Sequence, residues 1–93
     1  MKSYFNIELY VDDKIVTTSE PFTSTKELIS ICESMSNIIS ERGRGIHCEV
    51  LLYRDGGYEY SYDFYNEYNY HRNLCELLTA VYYHCEFNVY CLL

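Results

Sequence analysis

The sequence predicts an α+β fold of ββαββαβ order, in which a mostly antiparallel sheet is covered on one face by two helices. Three observations lead to this prediction. Several segments alternate apolar and polar residues or are rich in β-branched residues, as strands are; two others place apolar residues at helical spacing. The two halves of the chain also repeat the same order of segments. Because each helix has one apolar stripe to bury, both are expected to cover the same sheet face.

The first two predicted strands form a hairpin. Tyr4 to Val11 alternates, with Phe5, Ile7 and Leu9 on one side, which is typical of a half-buried strand. Asp12-Asp13-Lys14 supplies turn residues, and the β-branched segment Ile15 to Ser19 returns as the second strand. Pro21 ends that strand.

An amphipathic helix follows. Ser24 and Glu27 have the spacing of a capping box at its start, and Gly43 and Gly45 stop it. The apolar positions recur every three or four residues, and so lie on one side of a helix: Leu28, Ile31, Cys32, Met35, Ile38 and Ile39.

The second half repeats this order. Ile46 to Tyr53 is the next strand, and Asp55-Gly56-Gly57 is a tight hairpin signal. Tyr58 to Asp63 alternates again, with tyrosines on one side and Glu59, Ser61 and Asp63 on the other. Glu86 to Leu93 is predicted to close the chain as a last strand.

A second helix is expected to begin between Phe64 and His71. Asn66 and Asn69 are both suitable caps, so its first residue stays open. Its core stripe is expected to contain Tyr70, Leu74, Leu77, Leu78, Val81 and Tyr82.

An offset of 43 residues relates the two halves. It superimposes Phe5, Ile7 and Leu9 on Cys48, Val50 and Leu52. The shared pattern indicates that independent segments favour the same architecture. Without the first strand the order is β-α-β-β-α-β, so a ferredoxin-like fold with an extra N-terminal strand is one compatible arrangement. The pattern alone does not fix the strand order.

Length and composition favour one small globular domain over residues 1–93. The hydrophobic content of 48% is that of a folded protein, and the net charge is −7. Residues 1–45 carry −2 and residues 46–93 carry −5. Such an acidic chain repels phosphate backbones, so we expect no direct nucleic-acid binding and favour a basic partner.

The N-terminal segment, the apolar runs and the cysteines predict a cytoplasmic protein. The N-terminus has no apolar signal region, and no apolar run approaches the ~20 residues of a membrane span. The five cysteines are an odd number without secretion signals, which favours free thiols in a reducing compartment.

Neither a cofactor nor a metal is expected. The cysteines fall on or beside predicted apolar faces, where buried small side chains account for them. No Cys-x-x-Cys pair is present, and in His47-Cys48 and His84-Cys85 neighbouring strand residues point to opposite faces. We therefore predict no metal site and no enzyme activity, and keep a Cys/His enzyme or metal protein as the third alternative.

Tyrosine gives the positive indication of function. The chain has 12 tyrosines, and six of them lie between Tyr58 and Tyr70 with three carboxylates and no basic residue. Tyrosine offers large contact area at low entropic cost, so this density favours a protein-binding surface. Tyr58 and Tyr62 are assigned to the core, and the expected partner-binding residues are Glu49, Glu59, Tyr60, Asp63, Tyr65, Glu67, Tyr68 and Glu86.

In small size, acidity, Tyr/Glu density and α+β pattern the chain resembles the small phage inhibitors known as anti-CRISPR proteins. The residues that carry this likeness are the stretch Tyr58 to Tyr70 together with Glu49, Asp55, Glu76 and Glu86. The resemblance is one of overall character across the chain and carries over no residue role. It implies a stoichiometric inhibitor whose carboxylates stand where phosphates would.

The leading functional prediction is therefore a non-enzymatic inhibitor encoded by a phage or mobile element. Its partner is expected to be a basic host protein, such as a CRISPR effector or another nucleic-acid-binding nuclease complex. The second alternative is a structural or regulatory module that forms homodimers or larger homo-oligomers through its open face or its terminal strand.

Overall fold

A computed structural model describes residues 3–67 and 69–85 of the chain. In chain order the elements are the strands β1 (Phe5–Val11) and β2 (Lys14–Thr18), the helix α1 (Thr25–Ser40), the strands β3 (His47–Arg54) and β4 (Gly57–Tyr65), and the helix α2 (Tyr70–Tyr82). A short 3₁₀ helix, Tyr83–Cys85, follows α2. The predicted α+β class is confirmed, and the predicted strand Glu86–Leu93 lies outside the described residues.

The four strands form one antiparallel sheet in the order β2-β1-β3-β4. A ferredoxin-like arrangement would place β2 beside β4, whereas here they lie at opposite ends of this order. Strand β1, which the ferredoxin-like arrangement would treat as an N-terminal addition, instead lies inside the sheet between β2 and β3. Burial of apolar side chains explains this position, since all four inward residues of β1 are at most 5% exposed: Phe5, Ile7, Leu9 and Val11.

The core lies between one sheet face and the two helices. It joins the inward side chains of β1 and β3 to Leu28, Met35 and Ile39 of α1 and to Leu77 and Val81 of α2. The predicted capping box forms at the start of α1, where the Glu27 amide donates to Ser24 Oγ at 3.3 Å. Of the two candidate caps for α2, Asn69 is the one used, and its side chain accepts from the Arg72 amide.

Asn66, the other candidate cap, is buried and connects the end of β4 to the end of α1 and to α2 through side-chain hydrogen bonds. Its Nδ2 donates to the carbonyls of Ile39, Arg42 and Gly43 at 2.9, 3.1 and 3.0 Å, and its Oδ1 accepts from Asn73 Nδ2 at 3.0 Å. Asn66 therefore adds a donor to Ile39 in the last turn of α1 and to Arg42 and Gly43 in the segment that follows the helix, where Ile39 and Gly43 also accept from the amides of Arg42 and Ile46.

The 43-residue offset is visible in the two hairpins. Asp12 and Asp13 connect β1 to β2 with φ of 53° and 64°, and Asp55 and Gly56 connect β3 to β4 with φ of 50° and 85°. Two central residues of positive φ are what a type I′ hairpin turn requires. Each hairpin also has a register shift at the equivalent place, between Leu9 and Tyr10 and between Leu52 and Tyr53.

Among the described residues, no helix is long and apolar enough to cross a membrane.

Candidate protein-binding site

The sheet face opposite the helices, called the open face below, is lined mainly by tyrosines and carboxylates. Strand alternation places there the residues between the buried positions of each strand. By register its described members are Asn6, Glu8 and Tyr10 of β1, Ile15 and Thr18 of β2, His47, Glu49, Leu51 and Tyr53 of β3, and Tyr58, Ser61, Asp63 and Tyr65 of β4.

The open face carries three carboxylates, and no Lys or Arg belongs to its described members. Glu49 and Asp63 stand directly opposite each other on neighbouring strands, an arrangement that destabilises a sheet. Asp63 Oδ1 lies 3.0 Å from His47 Nε2, which offsets part of this cost. This sheet therefore keeps a pair of like charges on its open face at the expense of its own stability.

Glu8 lies at the centre of the open face and is held by two phenol groups. The hydroxyls of Tyr53 and Tyr10 donate to its Oε1 at 2.8 and 3.4 Å. The hydrogen bond to Glu8 raises the pKa of Tyr53 to about 12, with burial as the second cause. The pKa of Tyr10 is also raised, first by desolvation and then by the Glu8 charge. Both phenols therefore stay protonated and hold the Glu8 carboxylate in place.

Aromatic rings cover both ends of β4 on this face. Tyr58 is 63% exposed, and its ring meets that of Tyr53 edge-on, with centroids 6.3 Å apart and planes at 77°. At the other end Tyr65 is 64% exposed, and its ring lies 5.6 Å from that of His47. Large exposed aromatic side chains of this kind are enriched in protein interfaces.

The structure brings three of the eight predicted partner-binding residues together, namely Glu49, Asp63 and Tyr65 on the open face. Tyr60 lies on the helix side of the sheet, where its ring stacks on the His84 ring with the two centroids 3.6 Å apart. Glu67 follows β4 and reaches Arg72 at 3.9 Å. The predicted residues Tyr68 and Glu86 lie outside the described residues.

A β-bulge separates Glu59 from the acidic edge predicted for it. Tyr58 pairs with Tyr53 and Tyr60 with Leu52, so Glu59 is the additional residue of β4. Its carboxylate lies 3.3 Å from the guanidinium of Arg54, which in turn packs over the Phe5 ring of the core. The prediction that Glu59 shares a side with Ser61 and Asp63 is therefore wrong.

The same bulge moves Tyr58 out of its predicted place in the core and onto the open face. Tyr62 does pack against the core, as expected, and its hydroxyl donates to Glu76 Oε2 at 2.5 Å. This hydrogen bond to a carboxylate is the first cause that raises the pKa of Tyr62 to about 12.

The predicted site omits Glu8, Tyr10 and Tyr53, which the structure places at the centre of the open face. Alternation along Tyr4 to Val11 and Ile46 to Tyr53 does predict that these three residues lie opposite the apolar side of their strands. Six of the eight predicted residues come from the tyrosine-rich stretch Tyr58 to Tyr70, with Glu49 and Glu86 added, whereas the surface is assembled from four strands.

Three of the four cysteines in the described part of the chain are buried: Cys32, Cys48 and Cys85. Burial raises the pKa of Cys32 and Cys85 to about 12 and that of Cys48 to about 11, which leaves little thiolate at neutral pH. Cys75, expected in or beside the core, is exposed. No group of three or more His, Cys, Asp or Glu residues in the described ranges could hold a metal ion.

Fold and surface together define a class of protein: a small α+β sheet with one face covered by helices and one open face rich in tyrosine and carboxylate. Comparison with protein-family models, curated proteins and solved structures finds no match to the chain.

Proposed function

We propose that this protein is a non-enzymatic inhibitor in the cytoplasm of a host cell, encoded by a phage or mobile element. Its target would be a basic nucleic-acid-handling protein such as a CRISPR effector. The observation that carries the proposal is the open face, with three carboxylates, four tyrosines and no Lys or Arg among its described members. A basic surface that normally holds phosphates is the electrostatic complement of this face.

The two residue types have different parts in the proposed contact. The carboxylates of Glu8, Glu49 and Asp63 occupy the positions of phosphates and speed association with a positive surface. The tyrosines supply buried contact area, and each one that acts as a hot spot contributes about 2 kcal/mol or more to binding. Tyr58 and Tyr65 are the most exposed of the four, and so have the most area to bury.

The same charges disfavour the alternative in which two copies pair through their open faces. A symmetric dimer would bring Glu8, Glu49 and Asp63 of one copy against the same carboxylates of the other. Light scattering over micromolar concentrations checks this, and a monomer is the expected result.

The proposal is tested by affinity capture from a bacterial lysate, followed by a competition assay. The wild type should capture a basic nucleic-acid-binding protein, and the purified partner should lose its labelled nucleic acid when the inhibitor is added. A variant with Glu8→Gln, Glu49→Gln and Asp63→Asn should fail in both steps.

A matched control removes three carboxylates elsewhere. Glu20, Glu33 and Glu41 are exposed and lie outside the open face, so their triple change to Gln gives the same net charge. It should leave capture and competition intact. The proposal is refuted if both triple variants behave alike, or if the captured protein keeps its nucleic acid.

A further inference from the structure

Among the described residues, only one of the two Glu8 carboxylate oxygens accepts hydrogen bonds. Both tyrosine hydroxyls donate to Oε1, while Oε2 has no hydrogen bond or ion pair within the described part of the chain. The side chain is half-buried and its Oε1 accepts two hydrogen bonds, so it loses little further freedom when Oε2 accepts another donor. Glu8 is thus a preorganised acceptor at the centre of the open face.

An aromatic corner stands beside this acceptor. The Tyr53 and Tyr58 rings meet at 77°, and the Tyr58 hydroxyl donates to Ser61 Oγ at 3.0 Å, which restrains the outer ring. The Tyr53 hydroxyl connects the corner to Glu8. Aromatic rings beside a carboxylate form the environment that attracts a cation through both the ring quadrupole and the negative charge.

We propose that this corner binds an arginine side chain of the protein partner, with its guanidinium against the Tyr53 ring and one N–H on Glu8 Oε2. This inference rests on the proposed function and specifies the chemistry of its partner. Arginine fits better than lysine for two reasons. A guanidinium is planar and stacks on a ring, and it is less strongly hydrated than an ammonium, which matters beside a half-buried carboxylate.

Glu49 gives a further reason to expect a cationic side chain. It lies on the strand next to Glu8, displaced diagonally by two residues, because Glu8 pairs with Leu51. Tyr53 is displaced by two residues in the opposite direction, so the Tyr53 ring and Glu49 flank Glu8 from opposite sides. Glu49 therefore adds negative potential around the site without being a direct contact of the bound group.

The test uses two labelled peptides, one in which arginine alternates with glycine and one in which lysine replaces arginine. Fluorescence anisotropy at low salt should show that the wild type binds the arginine peptide at least about fivefold more tightly. Glu8→Gln should weaken binding of the arginine peptide about tenfold, since it removes a charged acceptor. Tyr53→Leu removes the ring and should abolish the preference between the peptides. Tyr53→Phe keeps the aromatic ring and the packing of β3, and should retain most of the preference for the arginine peptide.

A control distinguishes the corner from general charge attraction. Asp63→Asn removes a carboxylate that pairs with His47 away from the corner, so it should weaken both peptides to the same extent. Equal binding of the two peptides, binding of neither, or a preference that survives Tyr53→Leu would overturn the arginine proposal. In each of these cases the proposed function still stands if the partner is captured by the wild type and lost by the triple open-face variant.

Discussion

Replacing Glu49 by lysine should make the protein more stable while it weakens binding of a basic partner. Glu49 and Asp63 face each other across β3 and β4, and Coulomb's law in water gives about 0.7 kcal/mol of repulsion at about 6 Å. Lysine removes this repulsion and replaces it with a weak attraction. We therefore expect the free energy of unfolding to rise by about 0.5–1 kcal/mol at low salt. The partner's affinity should fall at least about tenfold, because a like charge now meets its basic surface.

Urea denaturation followed by circular dichroism measures the stability change. A gain of this size shifts the midpoint by about 0.5 M urea with no change in slope. Two controls test the cause: the gain should disappear in an Asp63→Asn background, and it should be largely screened at about 1 M salt. Loss of stability in the Glu49→Lys protein, or a gain that persists in both controls, would refute the electrostatic account of the open face.

Three further predictions concern the fold and the Glu8 network. Asn66→Ala should lower the free energy of unfolding by about 2 kcal/mol, because it removes the Nδ2 hydrogen bonds to Ile39, Arg42 and Gly43 and one acceptor of the buried Asn73 amide; a loss below about 1 kcal/mol would contradict this role. Asp13→Gly should raise the free energy of unfolding by about 1 kcal/mol and Gly56→Ala should lower it by a similar amount, since both positions have positive φ. The same urea titration checks both variants. Changes in stability of the same sign in the two variants would be inconsistent with the turn geometry. Ultraviolet titration should find the Tyr53 phenol with a pKa of about 12 in the wild type and nearer 10 in Glu8→Gln. Since the folded pKa is the higher one, the stability from this hydrogen bond is complete below about pH 10 and is lost as the pH rises through 12; an unchanged titration in Glu8→Gln would exclude the contact.

The sequence was sufficient to predict the class and order of the described elements because their signals are local. The alternation of Phe5, Ile7 and Leu9 marks a strand with one buried side. The capping box at Ser24 marks the start of a helix. Strand order depends on which strands compete best for the centre of the core, a comparison between distant segments. This is why the possibility of β1 as an added strand was open in the sequence and is excluded by the structure.

The candidate site was harder to predict because one residue changes which side a strand presents. The bulge at Glu59 reverses the alternation of β4, so Tyr58 becomes exposed and Glu59 turns toward Arg54. The sequence around the bulge is Tyr-Glu-Tyr, which alternates perfectly and gives no local sign of an additional residue. An indirect sign is the 43-residue offset, which relates Glu59 to Val16, the additional residue of the first hairpin.

We propose that the open face occupies the nucleic-acid-binding surface of a basic protein. The most direct test is a titration of the captured partner, preloaded with labelled nucleic acid, with the wild-type protein. We expect complete release of nucleic acid near one inhibitor per partner, and no release by the Glu8→Gln, Glu49→Gln, Asp63→Asn variant. A ternary complex that keeps its nucleic acid at excess inhibitor would contradict it.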